Sequence, residues 1–192
     1  MSLTEMITDS TVPAVVTNPR LPDNPIVDCN AAFLALTGYT REEVVGRNCR
    51  FLSGPETEDA GTNMIRAALR DRRPVLVELR NHRKDGSAFR NAVMIAPIFG
   101  PDGTLEWYLG SQMAVEHGGE RRRDAAAALI DTLTERQRAV LAGMADGRLN
   151  KQIAYELGLT ERTVKMHRAA MLRALGVRSM AEAIRLAIEA GL

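Results

Sequence analysis

Residues 46–52 read Gly46-Arg47-Asn48-Cys49-Arg50-Phe51-Leu52. The stretch places one thiol between an amide and a guanidinium, in an otherwise apolar neighbourhood. That arrangement suits a buried anionic cofactor. Sulfur is polarisable and nucleophilic, and in an apolar site the thiol stays protonated until a partner activates it. A free cysteine also packs commonly as a small core hydrophobe, so the stretch must be interpreted together with its surroundings.

The surrounding pattern resembles the flavin-binding signature of LOV photosensory domains, a branch of the PAS family, over residues 12–115. A turn at residues 18–26 precedes Cys49, and residues 54–57 lead into a predicted helix. The matching polar positions farther along the chain are Arg66, Asn81, Asn91 and Gln112. The resemblance implies an α+β fold, with helices on a five-stranded antiparallel sheet whose inner face holds a flavin.

The resemblance also implies a role for each matching residue. Cys49 would form a covalent bond to flavin C4a under blue light. Arg50 and Arg66 would hold the flavin phosphate, because the guanidinium donors form a fork. Gln112 would face the ring where a proton is gained, and its amide can flip to exchange donor for acceptor. The remaining expected cofactor-binding residues are Asn48, Leu52, Ser53, Asn81 and Asn91.

Two details refine this expectation. Ser53 stands where the LOV signature usually has Gln, so a side-chain contact to the cofactor should be shortened or lost. No extra loop separates Gly54 from the helix that carries Arg66, so we expect FMN rather than FAD or riboflavin. Without the Cys49 motif, Asn81, Asn91 and Gln112 would be interpreted as ordinary polar residues at strand ends.

Composition divides the chain. All eight prolines lie at or before Pro101, so the last 91 residues contain none. Because proline breaks helix interiors, this is a shift in composition from a turn-rich αβ domain to helices. The two cysteines imply no disulfide framework, and Cys29 is expected to be structural. No apolar run of about 18 residues and no leader pattern is found. We therefore expect a cytoplasmic protein without a membrane segment, and neither a metal site nor an enzymatic activity.

Local signals predict three regions: residues 1–116 as the sensor, 117–131 as a connector helix and 132–192 as a second domain. In the sensor, a capping box at Thr40-x-x-Glu43 starts a short helix, residues 58–71 form a longer one, and two glycine-containing turns separate three long strands. In the connector, Asp124 followed by four alanines favours a helix that starts near Asp124. The preceding arginine run could simply be solvated.

The last sixty residues have a helix-turn-helix cadence. Thr134-x-x-Gln137 is a capping box, and new helices are predicted near Asn150 and Thr160. The segments LTERQRAVL, LNKQIAYELGLTERTVKMHR and LRALGVRS resemble the DNA-binding domain of the LuxR/NarL/FixJ family over residues 131–192. This implies an all-α four-helix domain that binds double-stranded DNA. Residues 128–192 hold ten Lys and Arg against seven Asp and Glu, an excess too small to argue DNA binding unaided.

Helical angles separate two faces of the predicted recognition helix. Val164, Met171 and Leu175 should pack inward, and the opposite face should enter the major groove, with Lys165 and Met166 nearest the base edges. The full set of expected DNA-binding residues is Asn150, Lys151, Arg162, Thr163, Lys165, Met166, His167, Ala169 and Arg173. An ordinary solvated face is the alternative for each, and a partly buried structural role is a further one for His167.

The last predicted helix begins at a capping box, Ser179-x-x-Glu182, and is too apolar for a solvent-facing helix. By the resemblance it forms the dimer contact, through Ile184, Ala187 and Ile188. The whole pattern resembles one-component blue-light-regulated transcription factors. We expect a closed monomer in the dark, with this helix covered by the sheet, and a homodimer in the light. The alternatives are a PAS sensor of redox state or a small ligand, a flavoenzyme, and a phosphorylation-dependent response regulator.

Overall fold

The computed structural model describes residues 7–115 and 119–192. Its strands are β1 Ala14–Thr17, β2 Ile26–Cys29, β3 Val75–His82, β4 Ala88–Phe99 and β5 Leu105–Ala114. They form one sheet in the order β2-β1-β5-β4-β3, and every neighbouring pair is antiparallel. The five-stranded antiparallel sheet predicted from the sequence is confirmed.

The long strands are joined by tight turns whose glycines have left-handed backbones. Gly86 has φ 81° and Gly103 has φ 78°, a region that glycine enters without steric penalty. Side chains alternate between the two faces of each strand. Val93 and Ile95 therefore lie on one face of β4, and Met94 lies on the other.

Between β1 and β3, within the described residues, the sensor contains three helices and a 3₁₀ turn: α1 Ala31–Thr37, α2 Arg41–Val44, the turn Cys49–Leu52, and α3 Asp59–Arg70. The predicted capping box of Thr40 and Glu43 is present. The Asn30 side chain caps α1 by accepting a hydrogen bond from the Phe33 N–H, which satisfies a backbone donor that the first turn leaves unpaired. A small core holds these elements against β1 and β2; its buried members are Val15, Ile26, Cys29, Phe33, Val44 and Leu52.

The C-terminal part is helical, as predicted. It contains α4 Gly119–Asp131, α5 Glu135–Ala145, α6 Asn150–Leu157, α7 Glu161–Leu175 and α8 Met180–Ala190. The capping box of Thr134 and Gln137 is present, and a left-handed Gly158 (φ 64°) turns the chain between α6 and α7. The last four helices form the expected helix-turn-helix unit.

The connector differs from its prediction. Because α4 already includes Gly119, Asp124 lies inside the helix and does not cap it. Nor is the arginine run wholly solvated, since the Arg122 side chain is 22% exposed and forms ion pairs with Glu78 and Glu189. These tertiary ion pairs order the helix ahead of the alanines. The expected boundary between residues 116 and 117 lies outside the described residues.

The cap of α8 is also only half as predicted. Ser179 accepts a hydrogen bond from the Glu182 N–H, but the Glu182 carboxylate does not return it to Ser179. It accepts instead from the Arg178 and Thr11 N–H groups, both at 2.8 Å, and from the Ser10 hydroxyl at 3.2 Å. Burial alone would raise the pKa of Glu182, yet these donors outweigh it and lower the pKa. The N-terminal segment thus competes successfully for the carboxylate.

One hydrophobic core joins the two parts of the chain. The sheet face opposite α1–α3 contributes Ala14, Val16, Met94, Ala96 and Leu109 to a cluster that also contains the buried side chains of α5, α7 and α8. The helix-turn-helix unit is therefore packed on the outer face of the sheet. A backbone hydrogen bond from Phe99 N–H to Gly147 O, at 3.1 Å, adds a contact at the end of β4.

Candidate functional site

The inner face of the sheet borders a cavity closed by the 3₁₀ turn and α3. The segment that leads into the 3₁₀ turn is fixed to β2 by two backbone hydrogen bonds of 2.8 Å, from Ile26 N–H to Arg47 O and from Gly46 N–H to Ile26 O. Gly46 has φ 89°, a left-handed backbone conformation that would be strained in a residue with a side chain. The cavity is lined by Val15, Thr17, Asn24, Asn48, Cys49, Leu69, Val93, Ile95, Tyr108, Gly110 and Gln112.

Cys49 is the only ionisable thiol on this cavity wall. It begins the 3₁₀ turn, whose N-terminus is capped by Asn48 accepting a hydrogen bond from the Arg50 N–H at 3.0 Å. Burial among apolar side chains raises the pKa of the Cys49 thiol to about 12. At this pKa the sulfur is in its neutral thiol form. Because the residue is only half-buried and lines the cavity, the sulfur is within reach of a bound molecule.

Three oxygen atoms on the cavity wall are buried and have no hydrogen-bond partner among the residues that the structure describes: Thr17 Oγ1, Asn24 Oδ1 and Gln112 Oε1. Leaving such an atom unpaired costs about 1–3 kcal/mol, so a ligand with hydrogen-bond donors would stabilise the site. An apolar cavity with convergent polar atoms and a reactive thiol fits a flavin, which presents a flat ring and a polar edge. The sequence prediction included Gln112 but not Thr17, Asn24 or Tyr108.

The missed residues had weak signals in the sequence. Asn24 lies in the turn of residues 18–26, and its left-handed backbone (φ 47°) is typical of asparagine in a tight turn. Thr17 is a polar residue in an apolar strand and is 7% exposed. The Tyr108 hydroxyl donates a 2.8 Å hydrogen bond to Leu69 O and so joins β5 to the end of α3 across the cavity wall.

The predicted asparagines are buried beside the cavity. Asn91 Nδ2 donates to Asn81 Oδ1 at 2.9 Å, and Asn91 Oδ1 accepts from the Met113 N–H at 3.1 Å. Neither side chain is among those that line the cavity. Asn91 is thereby linked to the residue that follows Gln112.

The remaining predicted cofactor residues lie outside the cavity wall. Arg50 is ion-paired with Asp23 at 2.5 Å in the turn that carries Asn24, and Arg66, on α3, donates to Asn63 Oδ1 at 3.0 Å. Both arginines are exposed. Leu52 is buried in the sensor core, whereas Ser53 is exposed and ends the 3₁₀ turn.

The recognition helix α7 has the two faces that its angles predict. Val164, Met171 and Leu175 are buried. The opposite face is open: Lys165 is exposed and Met166 is 64% exposed. The other exposed members of the predicted DNA-binding set are Lys151, Arg162, Ala169 and Arg173.

Three members of that set are half-buried. Thr163 is engaged at the start of α7, where its N–H donates to Thr160 Oγ1 at 3.1 Å. Asn150 Oδ1 accepts from Arg168 Nη1 at 3.0 Å, and His167 is the third. A basic depression beside them is lined by Lys165, Arg168 and Arg178 among others. Neither Arg168 nor Arg178 is in the predicted set, because Arg168 lies toward the buried side of α7 and Arg178 lies beyond its C-terminus.

The predicted dimer face is covered. Ile184 and Ala187 are 3% and 0% exposed and belong to the core shared with the sheet, and Ile188 packs against that core. Between them, Arg185 is 2% exposed. Its Nη1 donates to Ser111 Oγ at 2.9 Å and to Ala92 O at 3.3 Å, while Nε donates to Glu189 at 3.1 Å. Burial lowers the pKa of Arg185, and Glu189 acts in the opposite direction.

Two further findings concern the described residues only. None of their His, Cys, Asp and Glu side chains form a group that could hold a metal ion. No helix in the described ranges has the length and apolar character needed to cross a membrane.

Comparisons with known proteins identify both parts. A PAS domain family model matches residues 13–111, and the model for bacterial regulatory proteins of the luxR family matches residues 131–187. The blue-light-activated histidine kinase 1 of Erythrobacter litoralis is 47% identical over 110 residues, which are 57% of this chain but only 31% of the kinase. The chain thus spans about a third of that relative, and the match covers the sensor part alone.

Solved structures agree. The light-state structure of the Aureochrome1 LOV photoreceptor is 41% identical with TM-score 0.54, and the match covers 55% of this chain and 82% of that one. A light-oxygen-voltage domain studied with a flavin analogue is 44% identical with TM-score 0.54, and its match covers 55% of this chain and 78% of that one. These homologues imply a flavin chromophore.

The chain thus joins a LOV sensor part to a helix-turn-helix of the luxR family of bacterial regulatory proteins. The kinase relative matches the sensor part alone, and a LOV domain joined to a helix-turn-helix is an architecture typical of non-enzymatic regulators. The chain belongs to the PAS domain family, as a LOV domain followed by a LuxR-family helix-turn-helix.

Proposed function

We propose that this protein is a blue-light-regulated transcription factor in which the photochemistry of Cys49 releases α8 for dimerisation on DNA. One observation carries the proposal. The cavity with Cys49 and Gln112 lies on the inner face of the sheet, and the covered face of α8 lies on its outer face. A single thickness of β-sheet therefore separates the sensing site from the dimer contact.

FMN is the proposed cofactor. The unpaired oxygens of Thr17 and Asn24 on the cavity wall can accept hydrogen bonds from its polar groups. Asn48 on the wall, and Asn81 and Asn91 beside it, are the proposed amide partners. Arg50 and Arg66 are exposed on elements next to the cavity, where they can receive a phosphate. When bound, the flavin would supply a blue-absorbing ring that can react with the Cys49 thiol.

Cys49 contributes both the sulfur and a proton. With a pKa of about 12, the thiol is protonated throughout the physiological range and unreactive in the dark. Gln112 is positioned to respond, because its Oε1 has no partner in the described structure and its amide can rotate. Gln112 pairs with Val93 in the ladder of β4 and β5, so its rearrangement acts directly on these two strands.

The closed form hides the dimer face and not the DNA-reading face. Lys165 and Met166 remain exposed while Ile184 and Ala187 are buried. We infer that closure prevents two copies from binding adjacent half-sites, whereas a single copy can still touch DNA weakly. Release of α8 then permits a dimer whose recognition helices meet half-sites one helical turn apart.

The test is an absorption spectrum taken before and after blue light. Wild type should lose its blue absorption reversibly, and Cys49→Ala should retain bound flavin but not bleach. Cys29→Ala is the matched control, because Cys29 is also buried but does not line the cavity. Full, thermally reversible bleaching of Cys49→Ala would contradict the adduct. A wild type that bleaches but binds DNA equally in dark and light would contradict the regulatory proposal.

A further inference from the structure

Arg185 is the largest side chain among those described as fully buried. Its guanidinium crosses from α8 to the sheet, where Nη1 bonds Ser111 Oγ and both terminal nitrogens lie 3.3 Å from Ala92 O. A buried charge is stable only when it is fully hydrogen-bonded. The packing of α8 therefore depends on the exact placement of two sheet residues.

Ser111 and Ala92 are neighbours in sequence of residues whose side chains line the cavity. Ser111 directly precedes Gln112, and Ala92 lies between Asn91 and Val93. Alternation along the strands places Ser111 and Ala92 toward α8 and Gln112 toward the cavity. Any shift of β5 that accompanies a rotation of the Gln112 amide must pass through the backbone that holds Ser111.

The change in the open-to-closed ratio that a full switch requires is larger than the hydrogen bond of Gln112 alone can supply. Moving a two-state equilibrium from 1:99 to 99:1 needs a change of about 10⁴-fold. A neutral hydrogen bond of the kind that Gln112 can exchange contributes roughly 2- to 10-fold. A hydrogen bond to a charged group contributes about 10- to 100-fold, so the two contacts of Arg185 together reach the required range.

We propose that Arg185 is the positioning residue through which the flavin side of the sheet controls the release of α8. This rests on the proposed light-regulated release. In the dark, Ser111 and Ala92 satisfy the guanidinium. When the Gln112 strand shifts, these acceptors move, the guanidinium loses hydrogen bonds in a buried position, and α8 leaves the sheet so that Arg185 reaches water.

The rest of the network is suited to this release. Glu189, the second partner of Arg185, lies 3.9 Å from Arg122 Nε, a buried nitrogen that makes no hydrogen bond among the described residues. Arg122 also contacts Glu78 on β3. Glu189 lies on α8 one turn from Arg185 and leaves the sheet paired with it, while Arg122 on α4 keeps its ion pair with Glu78, so the release leaves no uncompensated charge at the sheet.

The experiment measures the opening of α8 by amide hydrogen exchange of the full-length flavin-loaded protein, in the dark and under continuous blue light. Ser111→Ala removes one contact to Arg185. We expect the open-to-closed ratio to rise about 10- to 100-fold in the dark and less than about 2-fold in the light. Thr37→Ala is the control, because it also removes a buried hydroxyl, bonded to Phe33 O within α1.

An equal rise in dark and light would overturn the proposal, since it would make Arg185 a clamp that light does not affect. No rise in either state would overturn it as well. A wild type whose α8 exchange is insensitive to light would instead refute the proposed function, which separates the two failures.

Arg185→Met provides a second measurement by filling the space without a charge. The Cys49 bleaching should persist, while the ratio of lit to dark opening should fall about 100-fold or more below that of wild type, because loss of the two charged contacts removes about 10- to 100-fold each. A ratio like that of wild type in this variant would overturn the proposal even if Ser111→Ala failed to fold.

Discussion

Gly147 provides a direct test of whether docking on the sheet holds the protein closed. The residue lies between α5 and α6 with φ 79°, and a Cβ added to it would stand 2.1 Å from Pro97 O and 2.8 Å from Pro97 C. Both of these atoms belong to the backbone of β4 and cannot rotate away. The Gly147→Ala variant must therefore push the helix-turn-helix unit off the end of the sheet.

The expected effect can be estimated from two contributions. Overpacking costs about 1–3 kcal/mol, and losing the Phe99–Gly147 hydrogen bond costs about 0.5–1.5 kcal/mol. A total of about 2–4 kcal/mol corresponds to roughly 30- to 1000-fold in the open-to-closed ratio. If wild type is about 1% open in the dark, the variant should be between about a quarter and about nine-tenths open.

Gly158→Ala is the matched control for backbone strain. Gly158 also has a left-handed backbone, with φ 64°, but nothing lies within 4 Å of an added Cβ. Both variants should lose about 1 kcal/mol of folding stability, and only Gly147→Ala should open.

Light scattering in the dark should show that Gly147→Ala dimerises at concentrations where Gly158→Ala is monomeric, and amide exchange of α8 should be faster. Equal mass and equal exchange in the two variants would refute the reasoning, because the clash would then be relieved without opening.

Three other outcomes are expected. Replacing Arg50 and Arg66 together should weaken FMN about tenfold or more per arginine relative to riboflavin, because charge-assisted hydrogen bonds contribute about 1.5–3 kcal/mol; equal losses in a fluorescence titration would make the arginines structural. Lys165→Ala should change sequence preference in gel-shift competition, whereas Arg173→Ala should weaken all sequences similarly and reduce the salt dependence; unchanged preference would exclude Lys165 from base contact. Cys49 should react with iodoacetamide in the dark at pH 8 about 10³-fold more slowly than an ordinary thiol, because its pKa of about 12 leaves little thiolate. Rapid labelling at Cys49, detected by mass spectrometry, would contradict this. Since the pKa of Cys49 is raised from 9.0, any free energy of folding that the thiol contributes is complete below pH 9 and is lost as pH rises toward 12.

Local features were predictable wherever their cause is local. The capping boxes of Thr40 and Thr134 join residues three apart, and both are present as predicted. The predicted start of α4 was wrong because the helix begins earlier, where the ion pair of Arg122 with Glu78 stabilises it. This ion pair joins residues 44 apart in sequence, so no local pattern indicates it. The Glu182 cap was half wrong for the same reason, since its carboxylate is bonded to the N-terminal segment.

The site shows the same division. The Cys49 motif marked the cavity because its residues are consecutive and chemically distinctive. Thr17 and Tyr108 could not be found in that way, because their importance comes from the strand register that pairs them across β1 and β5 on the cavity wall. Likewise, nothing in the periodicity of α8 distinguishes Arg185 from a solvated arginine, and only the position of the sheet shows that it is buried.

Under the proposed function, the apolar face of α8 has two competing partners, the sheet of its own chain and a second copy. Both copies must open before they can pair, so a protein that is about 1% open has its apparent dimer dissociation constant raised by about 10⁴. The sheet belongs to the same chain and therefore competes for α8 at a fixed effective concentration, whereas the second copy competes at the concentration of the protein in the cell. The concentration of the protein therefore sets the light intensity at which dimers form. Doubling the expression of its gene should change transcription from the promoter in the same direction as an increase in light intensity.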